Sequence, residues 1–521
     1  MRHVKLPLSE TESFSGFFLD YIGQKESLKP FYHRFPTIEN FKEQITEKQS
    51  AFAGNSRKLL VDVLKEQYAA IPSIRAVTEN IEALEKNDTF TVTTGHQLNI
   101  FSGPLYFIYK IVTTINTCSA LRKKFPAYRF VPIYWMASED HDFEEISYFN
   151  LEGKKFSWST NQKGAVGRFN LKDMASLLNE VPASADVFTQ AYRDSSTLAE
   201  AVRKYVHTLF GEYGLVVMDG DHPKLKGALR DVMHSDILQT TTIDEVTKTN
   251  KSLSLAGYEP QIFVRETNFF FLETGLRERI QKTGERFQVN NTSLSFDEKE
   301  MMNLINEHPE KFSPNVVLRP LYQEKLLPNL AYVGGPAENI YWLQLKGVFD
   351  FHKALFPILL PRNFALIARP HETRLFDQSG IEIKDLFQKE HILGREIAIK
   401  NSAVDLSLQK ELEKLDQIFD QLNQKAKQID PTLEKHIQAQ KKKTTDRLSG
   451  ISGKMIRAEK RRHEDQIRQT LKIKQALFPG GGLQERVDNL LRFYPENGDF
   501  IRDLIQYFDP FDFRFNLLMY E

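Results

Sequence analysis

Apolar runs that end in glycine-rich breaks, each followed by a helical pattern, predict an α/β fold for the first part of the chain. The β-branched and aromatic run of residues 89–94 ends at Gly95, and a second break follows at Gly103. An amphipathic helical pattern then extends from residue 105 to about residue 125. A strand, a glycine turn and a helix in this order form the first half of a mononucleotide-binding βαβ unit. The pattern therefore predicts a Rossmann-like parallel sheet.

Further continuous apolar runs are typical of strands that are buried on both faces of such a sheet. They lie at residues 129–136, 214–218, 330–333 and 355–368, and the last is expected to supply the final strands. We expect two insertions into this core, near residues 151–210 and 240–310. The second insertion is expected to hold a hairpin over residues 261–273, with its turn near Thr267-Asn268.

The pattern changes to a heptad repeat further along the chain. Apolar side chains recur at steps of four and three, at Leu408, Leu412, Leu415, Phe419, Leu422, Ala426, Ile429 and Leu433. This spacing is typical of a coiled coil. Asp430-Pro431 is a helix start, so one helix is expected to end near Ile429 and a second to run towards Leu477. The two helices fit either an antiparallel arm within the chain or a seam between two copies in a homodimer.

These patterns divide the chain into three parts. Residues 1–375 are expected to form the Rossmann-like core, which begins with a layer of short helices over residues 1–87. Residues 376–478 form the helical coiled-coil domain, and residues 479–521 form a tail that packs back on the body. The glycine-rich break after Pro479 marks the end of the helical domain.

Composition narrows the class of protein. The 69 basic and 69 acidic residues cancel, so no overall electric field favours nucleic acid or a membrane as a partner. Cys118 is the only cysteine, which excludes an intramolecular disulfide and a cysteine-based zinc site and fits a reducing compartment. The N-terminus has no apolar signal core, and no apolar run approaches the roughly 18 residues of a membrane helix. We therefore expect a cytoplasmic protein.

The first candidate site is the loop after the strand predicted at residues 89–94. Its candidate nucleotide-binding and catalytic residues are Gly95, His96, Gln97, Ser102, Gly103 and Lys110. The glycines would let backbone N–H groups approach a phosphate, with a helix N-terminus behind them. His96 would donate a hydrogen bond to charge that develops on phosphorus, and Lys110 would reach back as a cationic clamp. The alternative is that the loop is a structural turn between strand and helix, in which the glycines only allow the backbone to bend.

The second candidate site is the acidic loop after the strand predicted at residues 129–136. It contains Ser138, Glu139, Asp140, His141 and Asp142. In open α/β sheets ligands bind beyond the carboxyl ends of the strands, which is where this loop falls. Its groups suit a Mg²⁺ ion, a substrate amine or a general base, whereas a zinc site is disfavoured because soft ligands are few. We expect Glu139, Asp140 and His141 to be catalytic and Ser138 and Asp142 to bind substrate; an acidic helix cap is the alternative.

The third candidate site combines the ends of two more predicted strands. Asp219 and Asp221 follow the run at residues 214–218, whereas Gly334, Gly335 and Glu338 follow the run at residues 330–333. Carboxylates at strand ends suit ribose hydroxyls or an ammonium group. We expect Asp219 to bind nucleotide. We expect Arg319, Gly334, Gly335 and Glu338 to bind substrate.

Strong catalytic signatures are absent from the sequence. It contains no GxGxxG, GxxxxGK[ST], HExxH or GxSxG motif. The second predicted coiled-coil helix is basic, with Lys441, Lys442 and Lys443 near its start and Arg461-Arg462 further along. A nucleotide-sensing or RNA-binding scaffold with a Rossmann pocket is therefore an alternative function. Charge on the outer face of a coiled coil is more often solvated, so nucleic acid is not the expected partner.

Long, irregular blocks of the sequence resemble a known family. TGHQ…FSGPLYFIYK, VPIYWMASEDHDFEEI, GLVVMDGD, SPNVVLRPLYQEKLLPNLAYVGGPAE and LFPGGGLQERVDNLL are similar to the bacillithiol biosynthesis cysteine-adding enzymes. The resemblance runs from about residue 90 to the C-terminus. It implies a Rossmann-like core akin to class I aminoacyl-tRNA synthetases, with two insertions and a helical coiled-coil domain that dimerises the chain.

The same resemblance implies a ligase that joins L-cysteine to glucosaminyl-malate by an amide bond, with ATP and Mg²⁺. Thr94-Gly95-His96-Gln97 lies where the synthetases carry their HIGH motif. The core has no match to their KMSKS loop, and Ser452-Gly453-Lys454-Met455 is a poor match in the helical domain. Adenylate chemistry is therefore expected from the resemblance and lacks one of its usual motifs.

Overall fold

A parallel sheet forms the centre of the computed structural model, which describes residues 1–52, 54–494 and 499–521. In this part of the chain the central sheet has five strands, in the order Ile358–Pro361, Asn329–Gly334, Thr89–His96, Arg129–Met136 and Val216–Asp219. Every neighbouring pair is parallel, so all five strands end at one edge. The predicted Rossmann-like core is confirmed.

Both faces of the central sheet are covered, which explains why its strands are continuous apolar runs. Ile133 and Trp135 pack with the N-terminal helices, whereas Tyr134 and Met136 pack with the helix Tyr106–Lys124 on the opposite face. The helices of this part of the chain are Gly16–Ile22, Phe41–Ala51, Gly54–Tyr68, Arg75–Ala83, Tyr106–Lys124, Phe143–Ile146, Ala175–Glu180, Asp186–Arg193, Leu198–Phe210, Pro223–Lys226, Arg230–Met233, Thr241–Leu255, Glu298–Glu307, Arg319–Leu326, Pro336–Leu343 and Lys346–Phe351.

A second sheet joins the two ends of the chain to the core. Strand Phe515–Met519 lies between Arg2–Leu6, which is antiparallel to it, and Phe364–Ala368, which is parallel. This corrects two predictions: residues 1–87 are not all helical, and the run at residues 355–368 supplies strands to two different sheets. The chain leaves the central sheet at Asn363, whose backbone N–H donates to the Thr113 hydroxyl at 3.0 Å.

The second insertion contains an antiparallel sheet. Its strands are ordered Ser295–Phe296, Arg286–Val289, Leu276–Thr283, Phe269–Glu273 and Phe312–Pro314. The predicted hairpin over residues 261–273 is wrong. The observed hairpin pairs Phe269–Glu273 with Leu276–Thr283, and its turn lies at Thr274-Gly275. Asn268 is instead held from outside the insertion, since its backbone N–H donates to the Asp236 carboxylate at 2.6 Å. A shorter hairpin, Tyr148–Leu151 with Lys154–Ser157, follows the acidic loop.

The helical domain contains an antiparallel helical hairpin within one chain. Its helices are Pro370–Ser379, Glu390–Lys400, Gln409–Ile429, Leu433–Arg462 and Glu464–Leu477, and a tail helix, Phe500–Tyr507, follows. Lys427 pairs with Glu434, and Lys441 pairs with Asp420 further from the turn, which fixes the antiparallel direction. The predicted end at Ile429 is confirmed, whereas the second helix is broken at His463. None of the described helices is long and apolar enough to cross a membrane.

Candidate active site

The carboxyl ends of the central strands meet at one edge of the sheet. His96 lies beside Met136, Met136 lies beside Asp219, and Gly334 lies beside Pro361 in the strand registers. A cavity of about 580 Å³ opens at this edge and is closed on its far side by the insertion sheet. This is the position at which open α/β sheets bind ligands, and the size is typical of a small-molecule site.

The structure brings most of the predicted site residues to this cavity, although they come from four parts of the chain. The residues that line it are Gly95, His96, Gln97, Ser138, Glu139, Asp140, His141, Arg319 and Glu338. The predicted residues that do not line it are Ser102, Gly103, Lys110, Asp142, Asp219, Gly334 and Gly335. The loops of the three candidate sites therefore converge, but not every residue in them faces the cavity.

His96 ends its strand as an almost fully buried side chain, 7% exposed. Its ring stacks on Phe107 at 4.9 Å between centroids and meets Tyr106 edge-on at 5.2 Å. Burial, with the Lys110 and Arg362 cations nearby, holds the pKa of His96 well below its ordinary value. The imidazole is therefore neutral at pH 7, and its buried Nε2 atom has no hydrogen-bond partner.

Lys110 lies beneath the cavity and does not reach into it as a clamp. Its Nζ atom donates to the Gly95 carbonyl at 2.7 Å and lies 2.6 Å from a carboxylate oxygen of Glu338. Burial lowers the pKa of Lys110, and the Glu338 carboxylate opposes that shift. Lys110 ties the strand end at Gly95 to the helix that carries Glu338, and its nucleotide-binding role stays a prediction.

Ser102 and Gly103 belong to a turn that packs on the C-terminal segment. Gly103 has φ +58°, and a side chain there would collide with Asn99. The Gly103 carbonyl accepts a hydrogen bond from the Asn489 amide at 2.7 Å, while Ser102 is fully buried. This glycine serves the geometry of the turn, and the nucleotide-binding role of Ser102 and Gly103 stays a prediction that their position away from the cavity does not support.

In the acidic loop, Asp140 faces the cavity, whereas Asp142 caps a helix. Gln97 donates to the Asp140 carboxylate at 3.1 Å, which joins the first two candidate loops. Asp142 instead accepts the backbone N–H of Glu145 at 3.3 Å and caps the short helix Phe143–Ile146. Asp142 is therefore an N-cap, which was the alternative for this loop, and its contact with substrate stays a prediction.

Two cations hold the rest of the acidic loop. The Lys226 ammonium pairs with the Glu139 carboxylate; burial raises the pKa of Glu139, and Lys226 opposes this. Arg277 Nη1 lies 2.5 Å from His141 Nδ1. Arginine can only donate, so Nδ1 accepts and the neutral ring carries its proton on Nε2. Burial and Arg277 both lower the pKa of His141, which favours this neutral donor form.

Glu338 is held from three sides in the first turn of its helix. It accepts the Gly335 backbone N–H at 2.7 Å and the Tyr332 hydroxyl at 2.9 Å, in addition to its ion pair with Lys110. Burial opposes ionisation, but these partners outweigh it, so the pKa of Glu338 lies below its ordinary value. Gly334 and Gly335 shape this cap and do not line the cavity, so their contact with substrate stays a prediction.

Asp219 lies just behind the cavity surface. Its carboxylate accepts hydrogen bonds from the Ser138 hydroxyl and from the Asp221 backbone N–H. Burial and the neighbouring Asp221 carboxylate raise the pKa of Asp219. Asp221 itself lines the cavity and forms a two-point ion pair with Arg168 at 2.7 Å. Asp219 therefore orients Ser138, and the predicted contact with nucleotide is not seen at the cavity surface.

Sequence reasoning missed a group of cavity arginines from the second insertion. Arg265, Arg277 and Arg279 line the cavity opposite the sheet edge, and we call these three residues the arginine wall. Arg277 and Arg279 alternate along the strand Leu276–Thr283 and so share one face. The alternation of arginines along this strand is the sequence feature that could have revealed the arginine wall. No sequence feature indicated Lys226, since its partner Glu139 lies 87 positions away.

Within residues 1–52, 54–494 and 499–521, no group of three His, Cys, Asp or Glu side chains is arranged to hold a metal ion.

Fold and site together define a Rossmann-like α/β protein with a strand-end cavity and a helical coiled-coil domain. Two family models match the chain: bacillithiol biosynthesis BshC, N-terminal Rossmann-like domain, over residues 1–363, and its C-terminal coiled-coil domain over residues 365–520. The chain belongs to the BshC family, which confirms the resemblance in its motifs.

Curated relatives agree with this assignment over nearly their whole length. A protein of Flavobacterium johnsoniae is 42% identical over 518 residues, with 97% of each chain covered. A protein of Cytophaga hutchinsonii is 39% identical over 517 residues, with 99% of each chain covered. Both are named, provisionally, as cysteine ligase BshC.

Proposed function

We propose that the protein is a ligase that joins L-cysteine to glucosaminyl-malate, with ATP as the activating substrate, in the cytoplasm. The relatives' names support a cysteine ligase. The observation that carries the proposal is the convergence of a neutral histidine, a partly exposed carboxylate and cationic groups in one cavity at the sheet edge. Amide synthesis needs these groups, because a carboxylate must be activated and an amine must then lose a proton.

Activation is assigned to the side of the cavity at His96 and Arg319. A carboxylate oxygen of cysteine attacks the α-phosphorus of ATP, the bond to pyrophosphate breaks, and cysteinyl-adenylate forms. Neutral His96 and the Arg319 guanidinium, which lies beside Gly95, donate to the charge that develops on phosphorus. Mg²⁺ would enter with the phosphates, since it commonly keeps its waters and few protein ligands.

Amide formation is assigned to the acidic loop. The acceptor amine attacks the carbonyl carbon of the adenylate, AMP leaves with the electrons of the broken bond, and the amine gives up a proton. Asp140 is the proposed base, because it is partly exposed and keeps lone pairs beyond those that accept from the Gln97 amide and the His141 backbone N–H. His141 carries its proton on Nε2 and acts as a donor, whereas Glu139 and Glu338 are held by lysines.

Cysteine-dependent exchange of pyrophosphate into ATP tests the activation step. His96→Ala should lower the exchange rate at least 100-fold, in line with the loss of one donor to a transition-state charge. His308→Ala is the matched control, because His308 is exposed, pairs with Glu310 at 3.0 Å and does not line the cavity. Exchange that stays undiminished in His96→Ala would remove His96 from the mechanism.

Self-association is the second part of the proposal, with the helical hairpin as the contact between two copies. Pairing within the chain leaves apolar side chains exposed along it, among them Ile418 at 54% and Ile429 at 81%. A second copy that covers them would remove this apolar area from water. Ile418→Glu should convert a dimer to a monomer in sedimentation equilibrium, and a wild-type monomer would refute the proposal.

A further inference from the structure

Two members of the arginine wall have no counter-charge. Among the residues that the structure describes, the side chains of Arg265 and Arg279 make neither an ion pair nor a hydrogen bond, although both line the cavity. Burial and the neighbouring Arg265 cation lower the pKa of Arg279. Like charges that face each other without a carboxylate are unfavourable in the free protein, and an anion between them would relieve this.

The other cavity arginines differ in this respect. Arg277 donates to the Ser313 hydroxyl at 3.1 Å and to the Pro314 carbonyl at 3.3 Å, besides its contact with His141. Arg319 donates to the Gln323 side chain at 3.2 Å. The fold thus uses these two arginines for its own contacts and leaves Arg265 and Arg279 available.

The place of the free pair relative to the acidic loop follows from strand geometry. Arg277 contacts His141 and lies 3.8 Å from Asp140, next to the proposed base. Arg279 is two residues further along the same strand, about 7 Å away on the same face. Phe270 pairs with Arg279 in the strand register, and the Arg277 guanidinium lies 4.0 Å from its ring centre. Arg279 therefore lies one strand repeat beyond the proposed reacting centre, and Arg265 lines the same cavity and acts on the charge of Arg279.

We propose that Arg265 and Arg279 form a dicarboxylate subsite that recognises the malate part of the acceptor. This rests on the proposed function for the identity of the acceptor. Guanidinium groups bind carboxylates through two parallel hydrogen bonds, so two of them match two carboxylates. In glucosaminyl-malate the amine and the malate sit on neighbouring carbons of the sugar ring. Binding malate at the free pair therefore directs the amine towards Asp140.

Direct binding tests this subsite without relying on turnover. Calorimetric titration of the full-length protein with glucosaminyl-malate should show that Arg265→Gln and Arg279→Gln each weaken affinity about tenfold, the effect of one lost charge-assisted contact. Methyl glucosaminide, which lacks the malate, should bind these variants as it binds the wild type. Lys299→Gln is the control, because it removes an exposed positive charge from the same insertion without touching the cavity.

The outcomes separate the subsite from the reaction. Unchanged affinity in both variants, or no affinity of the wild-type protein for glucosaminyl-malate, would overturn the subsite. A loss of ATP affinity in place of acceptor affinity would also overturn it and assign the pair to phosphate. Arg265 is exposed, so its replacement should leave folding intact. Amide formation by the wild-type protein, measured separately, reports on the proposed function whichever result is found.

Discussion

The sheet edge and the arginine wall enclose the same cavity but treat charge in opposite ways. At the sheet edge, Lys110 lies against Glu338 and Lys226 lies against Glu139, so folding itself neutralises the buried charges. In the wall, Arg265 and Arg279 have no such partners among the described residues. The difference indicates that one side is built for rigidity and the other for a ligand. Substitutions of the paired residues at the edge should affect stability, and substitutions of Arg265 and Arg279 should affect binding.

The largest effect is expected at Lys110. Lys110→Met leaves the Glu338 carboxylate without its cation and should reduce the free energy of unfolding by about 3 kcal/mol, since breaking a buried pair is costly. Urea unfolding measures this. The double variant Lys110→Met/Glu338→Gln should regain part of the loss, because no unpaired charge remains. A single variant as stable as the wild type would contradict the structural role of this pair.

A pH effect of similar size is expected at Asp236, which anchors the insertion through Asn268. Burial raises the pKa of Asp236 to about 6 in the folded protein, whereas an unfolded aspartate titrates near 3.8. Between these values the folded state binds more protons, so the free energy of unfolding should fall as pH rises from about 4 to 6. The fall attributable to Asp236 is on the order of 3 kcal/mol.

Unfolding curves at several pH values separate this contribution from other carboxyl groups. The Asp236→Asn variant cannot titrate at this position, so its stability should change less over the same window. Equal slopes for variant and wild type would show that Asp236 does not keep its proton in the folded state.

The smallest effect is expected at Asp142. Asp142→Ala removes an N-cap and should reduce the free energy of unfolding by about 1 kcal/mol, with the affinity for cysteine and acceptor unchanged. Asp142→Asn keeps the cap and serves as the control. A selective loss of substrate affinity in Asp142→Ala would return this residue to the site.

Local patterns predicted the central sheet well because its strands are continuous apolar runs ended by glycine or polar loops. The strand at residues 129–136 was predicted with its observed bounds. The hairpin at residues 261–273 was not, since Thr267-Asn268 has turn chemistry but is held by Asp236, which lies far outside the segment. A contact made by the tertiary structure therefore overrode a local signal.

The candidate site shows the same division between local and distant information. Strand ends placed His96 and Asp140 at one edge, as the parallel order requires. The roles of Lys110 and Gly103 could not be predicted, because their partners are residues 338 and 489, hundreds of positions away. Pairing of the strand Phe515–Met519 with Arg2–Leu6 was hidden for the same reason.

Separation of the two half-reactions tests the central claim, that the strand-end cavity both activates cysteine and joins it to the acceptor. Asp140→Asn should keep cysteine-dependent pyrophosphate exchange near the wild-type rate and lose amide formation by at least 100-fold, as expected for a general base. His96→Ala should lose both. Amide formation at the wild-type rate in Asp140→Asn would contradict the account, since the acidic loop would then take no part in the chemistry.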